Sequence, residues 1–226
     1  MASNIFMERK GIHIIDLNRT AEALERAGRA MKQVAKSGKK ILFVATKKQG
    51  REIVANAAKS VNMPFVTERW LGGMMTNFQT IRKSIKKMQT IEKTLNDPST
   101  VINKKERLML ERERIKLERV LGGIAQLNRL PSVVFLVDIG HEHLALDESK
   151  KLGIRTFGMV DTNCDPNKVD FAIPANDDAS KSIGLVVNYM TGCIKEGLAE
   201  RNVPAKEDAP VVEQNPLTPE GGMVGA

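Results

Sequence analysis

Two runs, Ile41-Leu42-Phe43-Val44-Ala45 and Val133-Val134-Phe135-Leu136-Val137, consist of apolar residues alone. Both are far too short to cross a bilayer. A strand without polar alternation is buried on both faces, so layers must cover the sheet above and below. Helical patterns supply those layers. Leu17, Ala21, Leu24, Gly28, Met31 and Ala35 recur every three or four residues from Asn18 to Ser37. Asn18 or Thr20 can cap that helix at its start, and Gly38 can cap its end. A helix over Arg51 to Ser60 leads to a short strand at Phe65-Val66. A helix from His143 to Leu152 precedes a strand from Arg155 to Val160. A fifth strand lies at Phe171-Ala172-Ile173, and a last helix runs from an Asn176-Asp177-Asp178 cap to about Glu200. Strands alternating with helices predict a doubly wound α/β domain with a parallel sheet of about five strands.

One stretch breaks the alternation. Phe78, Ile81, Ile85, Met88 and Leu95 follow heptad-like spacing until Asn96-Asp97-Pro98-Ser99 stops the helix. Leu110, Leu117, Val120, Ile124 and Leu127 continue a second helix, with Glu113 at a seam position. The two predict an inserted antiparallel coiled-coil hairpin about 30 Å long. Leu71-Gly72-Gly73 and Leu121-Gly122-Gly123 bracket it, offering the backbone freedom for sharp turns. The expected division is an α/β domain over 1–73 and 124–203, the hairpin over 74–123, and a disordered tail over 204–226, rich in proline and glycine.

Charge points to the partner. The 226 residues carry 35 Lys and Arg against 27 Asp and Glu, a net +8 with a pI near 9.5. The excess is local: twelve basic against four acidic side chains in 1–51, and twelve against six in 82–119. Such asymmetry is the signature of a polyanion or anionic surface. The candidate contacts are Arg19 and Arg26 on the first helix, Lys47 and Lys48 after the first strand, and Arg69 beside Trp70. On the hairpin they are Arg82, Lys83, Lys86, Lys87, Lys104, Lys105 and Arg112. Trp70, the one tryptophan, either stacks on a base or plugs the junction of domain and hairpin; its apolar surroundings favour the plug. With aromatic residues at 4%, single-strand stacking is a poor mode, and phosphate and groove contact with folded RNA is favoured.

Catalytic signatures are sparse. The dinucleotide Gly-x-Gly-x-x-Gly fingerprint, the P-loop and the Gly-x-Ser-x-Gly elbow are absent from the sequence. The loop Thr46-Lys47-Lys48-Gln49-Gly50 has room for one phosphate before a helix N-terminus. Asp138, His141 and His143 at the end of the third strand are weak zinc candidates, with Asp161 or Cys164 completing the set. A capping and packing role fits them better. The alternative function left open is a nucleotide- or metal-binding enzyme using these strand-end loops. Cys164 and Cys193 are too few for a disulfide framework, and nothing near Met1 reads as a secretion signal.

Several segments together are specific. Ile41 to Lys48, Arg69 to Asn77, Leu121 to Ile124 and Asp138 to His143 resemble one family, as does the series Leu152-Gly153-Ile154, Val160 to Asn163, Asp165-Pro166, Val169-Asp170, Ile173-Pro174 and Asn176 to Ala179. The family is ribosomal protein S2 of the small subunit, in its bacterial or organellar form, and the likeness spans roughly residues 9–203. The resemblance implies a flavodoxin-like sheet with a coiled-coil insertion, no catalysis and no cofactor. It implies small-subunit rRNA and other small-subunit proteins as partners, including the large mRNA-binding protein S1, with no membrane and no small-molecule substrate. It places the protein in the cytoplasm on the ribosome. Members of the family usually begin with about forty further residues that include a Gly-x-His-Phe-Gly-His stretch.

Overall fold

The computed structural model describes residues 1, 4–97 and 102–202; the expected tail over 204–226 lies outside the described residues, as do Pro98 and Ser99 of the predicted helix stop. In chain order the elements are β1 (Ile5–Arg9), β2 (Ile12–Ile15), α1 (Leu17–Lys36), β3 (Ile41–Val44), α2 (Arg51–Ser60), β4 (Phe65–Val66), α3 (Phe78–Asn96), α4 (Lys104–Leu121), β5 (Val133–Leu136), α5 (His143–Lys151), β6 (Arg155–Val160), β7 (Phe171–Pro174) and α6 (Ser180–Asn202). Five strands form one parallel sheet in the order β4-β3-β5-β6-β7. No described helix is long and apolar enough to cross a membrane.

The two apolar runs become the centre of that sheet. All four residues of β3 and of β5 are buried, and they pair in register from Ile41 opposite Val133 to Val44 opposite Leu136. Successive side chains point to opposite faces. Ile41, Phe43 and Phe135 therefore pack with α1, α2 and α6, through Met31, Val54, Val187 and Ile194. Leu42, Val44 and Leu136 pack instead with α5 and the base of α3, through Leu146, Ile81 and Ile85. Each fully buried aliphatic side chain of this kind stabilises the fold by about 1.5–3 kcal/mol relative to an exposed one.

Most helix boundaries follow the expected periodicity, but the second hairpin helix ends at Leu121, with Ile124 in a single 3-10 turn and Leu127 beyond it, because the chain turns back at Gly122-Gly123 toward the sheet. The first cap also differs. Asp16, not Asn18 or Thr20, caps α1 by accepting from the Asn18 N–H. The Thr20 hydroxyl donates instead to the Pro174 carbonyl at 2.7 Å, tying α1 to β7. The expected architecture also lacked the β1–β2 hairpin. Its two turn residues, Lys10 and Gly11, both have positive φ (56° and 76°), as a two-residue hairpin turn matched to strand twist requires.

Helices α3 and α4 pack on one another and run antiparallel. Lys87 pairs with Glu113 across the seam, while Asn96 and Arg107 line the same hollow nearer the tip. Ile81, Ile85, Met88 and Ile91 are buried along α3, and Glu113 occupies the expected seam position. The glycine pairs act differently at the two ends. Gly73 has φ 86°, a genuine left-handed turn. Gly122 is helical (φ −56°), and Gly123 is required by space: a Cβ there would sit 2.1 Å from the Phe65 carbonyl oxygen.

Candidate nucleic-acid interface

The candidate cations fall into distinct environments. Arg26 is exposed, and with Arg19 it lines an open hollow of about 560 Å³ between α1 and β7. Arg19 keeps a loose pairing to Asp16 at 3.8 Å. Lys48 and Arg69 are exposed. On α3, Lys83 and Lys86 are exposed and have no ion pair among the described residues. Their neighbours are committed. Arg82 donates to the Asn128 carbonyl at 2.6 Å, and Lys87 pairs with Glu113. On α4, Lys104, Lys105 and Arg112 are exposed and unpaired among the described residues.

Lys47 departs from the expectation of a phosphate-binding loop. The ends of β3, β5 and β7 bring three carboxylates around its ammonium: Asp138 at 3.1 Å, Asp177 at 2.7 Å and Asp178 at 2.6 Å. Burial of Lys47 disfavours its charge, but hydrogen bonds to Asp177, Asp178 and Asp138 outweigh that and push its pKa up. A lysine held in this way has no positive charge left for a phosphate. Asp177 is the deepest of the three. Burial raises its carboxyl above the ordinary range against the hydrogen bond from Lys47, and its Oδ2 has no partner among the described residues.

The zinc candidates are not gathered. His141 and His143 are exposed, while Asp138 is buried in a left-handed conformation (φ 68°). Its Oδ1 accepts from the Gly140 and His141 N–H groups at 2.9 and 3.0 Å, and its Oδ2 faces Lys47. The carboxylates that do converge among the described residues are Asp161, Asp177 and Asp178. Asp138 thus serves as a turn and ion-pair residue, whereas the exposed His141 and His143 do not fill the expected packing role, and α5 starts after Glu142 without a side-chain cap.

Trp70 sits where a plug belongs. It is 6% exposed and packs among Met74, Leu121, Leu136 and Leu146, so its ring offers no face to a base. Its Nε1 donates to Glu148 on α5. Glu148, which no sequence signal marks, organises the junction. Its Oε1 also accepts from the Gly73 N–H at 2.8 Å, and its Oε2 accepts from Met75 N–H, Thr76 N–H and the Thr76 hydroxyl at 2.8–3.1 Å. Burial would raise this carboxyl, but the hydrogen bonds from Thr76, Trp70, Met75 and Gly73 win and lower it. A second buried carboxylate, Glu142, accepts from the Thr46 N–H and hydroxyl, both at 2.6 Å; there burial wins, and its pKa is raised.

The family model described as ribosomal protein S2 matches residues 1–197. The small ribosomal subunit protein uS2 of Flavobacterium johnsoniae is 55% identical over 218 residues, covering 94% of this chain and 86% of that protein. That of Cytophaga hutchinsonii is 55% identical over 214 residues, covering 94% and 84%. That of Phocaeicola vulgatus is 56% identical over 202 residues, covering 89% and 72%.

Proposed function

We propose a working surface for this protein from one premise: the chain belongs to the ribosomal protein S2 family. It is a structural constituent of the small ribosomal subunit that binds 16S-type rRNA and neighbouring ribosomal proteins during translation in the cytoplasm. It is not an enzyme. The observation that carries the reading is the match across nearly the whole folded chain.

The rRNA footprint we infer comprises Arg19, Arg26, Lys48, Arg69, Lys83 and Lys86. Their support is exposure on polar faces, with only Arg19 holding a loose carboxylate contact. Such cations bind by neutralising phosphates and releasing counterions, which suits A-form RNA read by shape. Lys47 and Trp70 leave the footprint because one is enclosed by carboxylates and the other is buried. Arg82 is tied to the Asn128 carbonyl and Lys87 to Glu113, so both are left outside the footprint, and Lys104, Lys105 and Arg112 are set apart because α4 differs in kind.

The strand order, second-first-third-fourth-fifth, supports a flavodoxin-like topology. The seam between α3 and α4 supports a coiled-coil hairpin over 74–123, set into an α/β body over 1–73 and 124–203. We also propose the large mRNA-binding protein S1 as one protein partner, on family resemblance. The test is co-sedimentation with small subunits after a high-salt wash, comparing the wild type with Lys83→Glu/Lys86→Glu. Loss of incorporation supports the footprint; equal incorporation removes α3 from it.

A further inference from the structure

The two helices of the hairpin present different outward faces. On α3 the exposed residues opposite the buried Ile81, Ile85, Met88 and Ile91 are polar or cationic, and no large apolar side chain is exposed. On α4 three large apolar side chains face solvent: Leu108 at 48%, Met109 at 62% and Ile115 at 53% exposed. With 3.6 residues per turn, these three and Lys105, Arg112 and Lys116 share one arc of about 120°. All three cations are exposed, with no ion pair among the described residues. The other residue on the arc, Arg119, reaches Glu68 at 2.8 Å. The glutamates of α4 (Glu106, Glu111, Glu113 and Glu118) all fall outside the arc. The face is therefore apolar and cationic, with no acid.

We propose that this face of α4 is a docking surface for a protein partner, and that the docked segment is an acidic amphipathic helix. Leu108 and Ile115 are seven residues apart, two turns along α4, so they present a pair of knobs about 10.5 Å apart. A helix with apolar residues at the same spacing seats against them, and its flanking Asp and Glu side chains meet Lys105, Arg112 and Lys116. Met109 lies beside an open hollow of about 610 Å³, lined by Lys105 and Arg112 on the arc and by Glu106 and Glu113 just outside it, so the partner side chain that enters there is apolar while the partner's acids stay over the cations of the arc.

Charge and apolarity together select this occupant. Phosphates need only the cations, and α3 shows what a face without exposed apolar residues looks like. A second copy of the chain would set one cationic arc against another. A membrane surface favours a broad apolar face with aromatic anchors, whereas this arc has only three apolar residues among its seven and no aromatic. Leu108, Met109 and Ile115 and the three cations all lie on α4, outside the rRNA footprint.

The test uses the full chain and three defined probes. One is a labelled glutamate-rich helical peptide with leucines at one-face spacing. The second is the same composition with the leucines scrambled around the helix. The third is a short duplex RNA. The patterned peptide is expected to bind about tenfold tighter than the scrambled one, and Leu108→Gln/Ile115→Gln to remove that advantage while duplex RNA affinity holds. Both residues are exposed, and an unchanged far-UV circular dichroism spectrum confirms the fold of the variant. Equal binding of the two peptides overturns the proposal. So does a variant that weakens RNA instead, or one that dissolves a wild-type dimer. Binding of the wild type to phosphatidylglycerol vesicles that the variant loses overturns it too.

Discussion

The Trp70 indole Nε1 donates to Glu148 Oε1 at 3.0 Å, and this bond joins the plug of the hairpin junction to helix α5. The same carboxylate accepts from Gly73, Met75 and Thr76, the residues that lead the chain out toward α3. One buried side chain thus fixes the direction in which the hairpin leaves the sheet. Glu148→Ala strands several buried donors at once, and the expected loss is about 3–5 kcal/mol in urea unfolding. Glu148→Gln keeps part of the network and costs less. A loss below about 1 kcal/mol for the alanine variant means that apolar packing alone sets the junction.

Acid sensitivity follows from the same carboxylate. Its pKa is lowered in the folded protein, so its contribution is fully present above the unfolded value near 4.5. It is lost as pH falls from there through the lowered folded value. Glu142 and Asp177, both raised, act in the opposite direction. The difference between wild type and Glu148→Gln isolates the term. Unfolding free energies measured from pH 7 down to pH 3 should converge at the acid end; a constant gap contradicts the assignment.

Lys47 holds together carboxylates that repel one another. Lys47→Met removes the one ammonium among Asp138, Asp177 and Asp178 and leaves Asp177 buried without a counterion. At pH 7 the expected cost is about 3–5 kcal/mol, as for a broken buried pair. The cost should shrink as the pH is lowered, because burial already raises the Asp177 carboxyl above the usual range and loss of Lys47 raises it further, so taking up a proton removes the buried charge. Urea midpoints at pH 7.5 and 5.5 check this. An equal cost at both values rules out the ionic explanation.

The sheet and helices were legible because their signals are local. Ile41–Val44 and Val133–Leu136 are buried on both faces and contain no polar residue, so composition alone marks them. Glu113 was legible as a seam residue because its spacing survives the substitution of charge for an apolar side chain. Lys47 was not, since a lysine loop before a helix reads the same whether it awaits phosphate or carboxylates. The partners that decide the matter lie 91 and 130 residues away. Glu148 is equally non-local: an acid on a short helix looks solvated until a loop 72–78 residues earlier turns its N–H groups toward it. The β1–β2 hairpin escaped notice for another reason. Its apolar residues, such as Phe6 and Ile12, stay exposed, and Lys10-Gly11 lacks the asparagine or aspartate that usually marks such a turn.

The two neighbouring glycines at the hairpin's return make a paired test. Gly123→Ala drives a Cβ into the Phe65 carbonyl oxygen on β4, a backbone atom that yields only if the strand moves. The expected cost is about 1–3 kcal/mol or more, as for overpacking. Gly122→Ala meets nothing closer than Glu118 Cγ at 3.5 Å in a helical conformation. It should be neutral or stabilise by about 0.4–1 kcal/mol through the unfolded chain. Thermal midpoints that fall equally for both variants refute the close-approach account.

The rRNA footprint predicts a number as well as a direction. Each phosphate contact contributes about 0.7–0.9 to the slope of log affinity against log salt. If Lys83 and Lys86 each meet one phosphate, neutralising both with Lys83→Gln/Lys86→Gln should flatten that slope by about 1.4–1.8. Both side chains are exposed on a helix whose buried residues lie on the opposite face, so the fold is not at stake. Replacing Lys87 instead removes a largely exposed ion pair that reaches Glu113 across the seam, so stability is expected to fall by no more than about 1 kcal/mol and the slope to stay nearly constant. Binding to a 16S-type rRNA fragment, titrated between 50 and about 200 mM salt, separates the two cases. Equal slopes for wild type and Lys83→Gln/Lys86→Gln would place the RNA on another face. A flattened slope for Lys87→Gln would add Lys87, itself largely exposed, to the footprint.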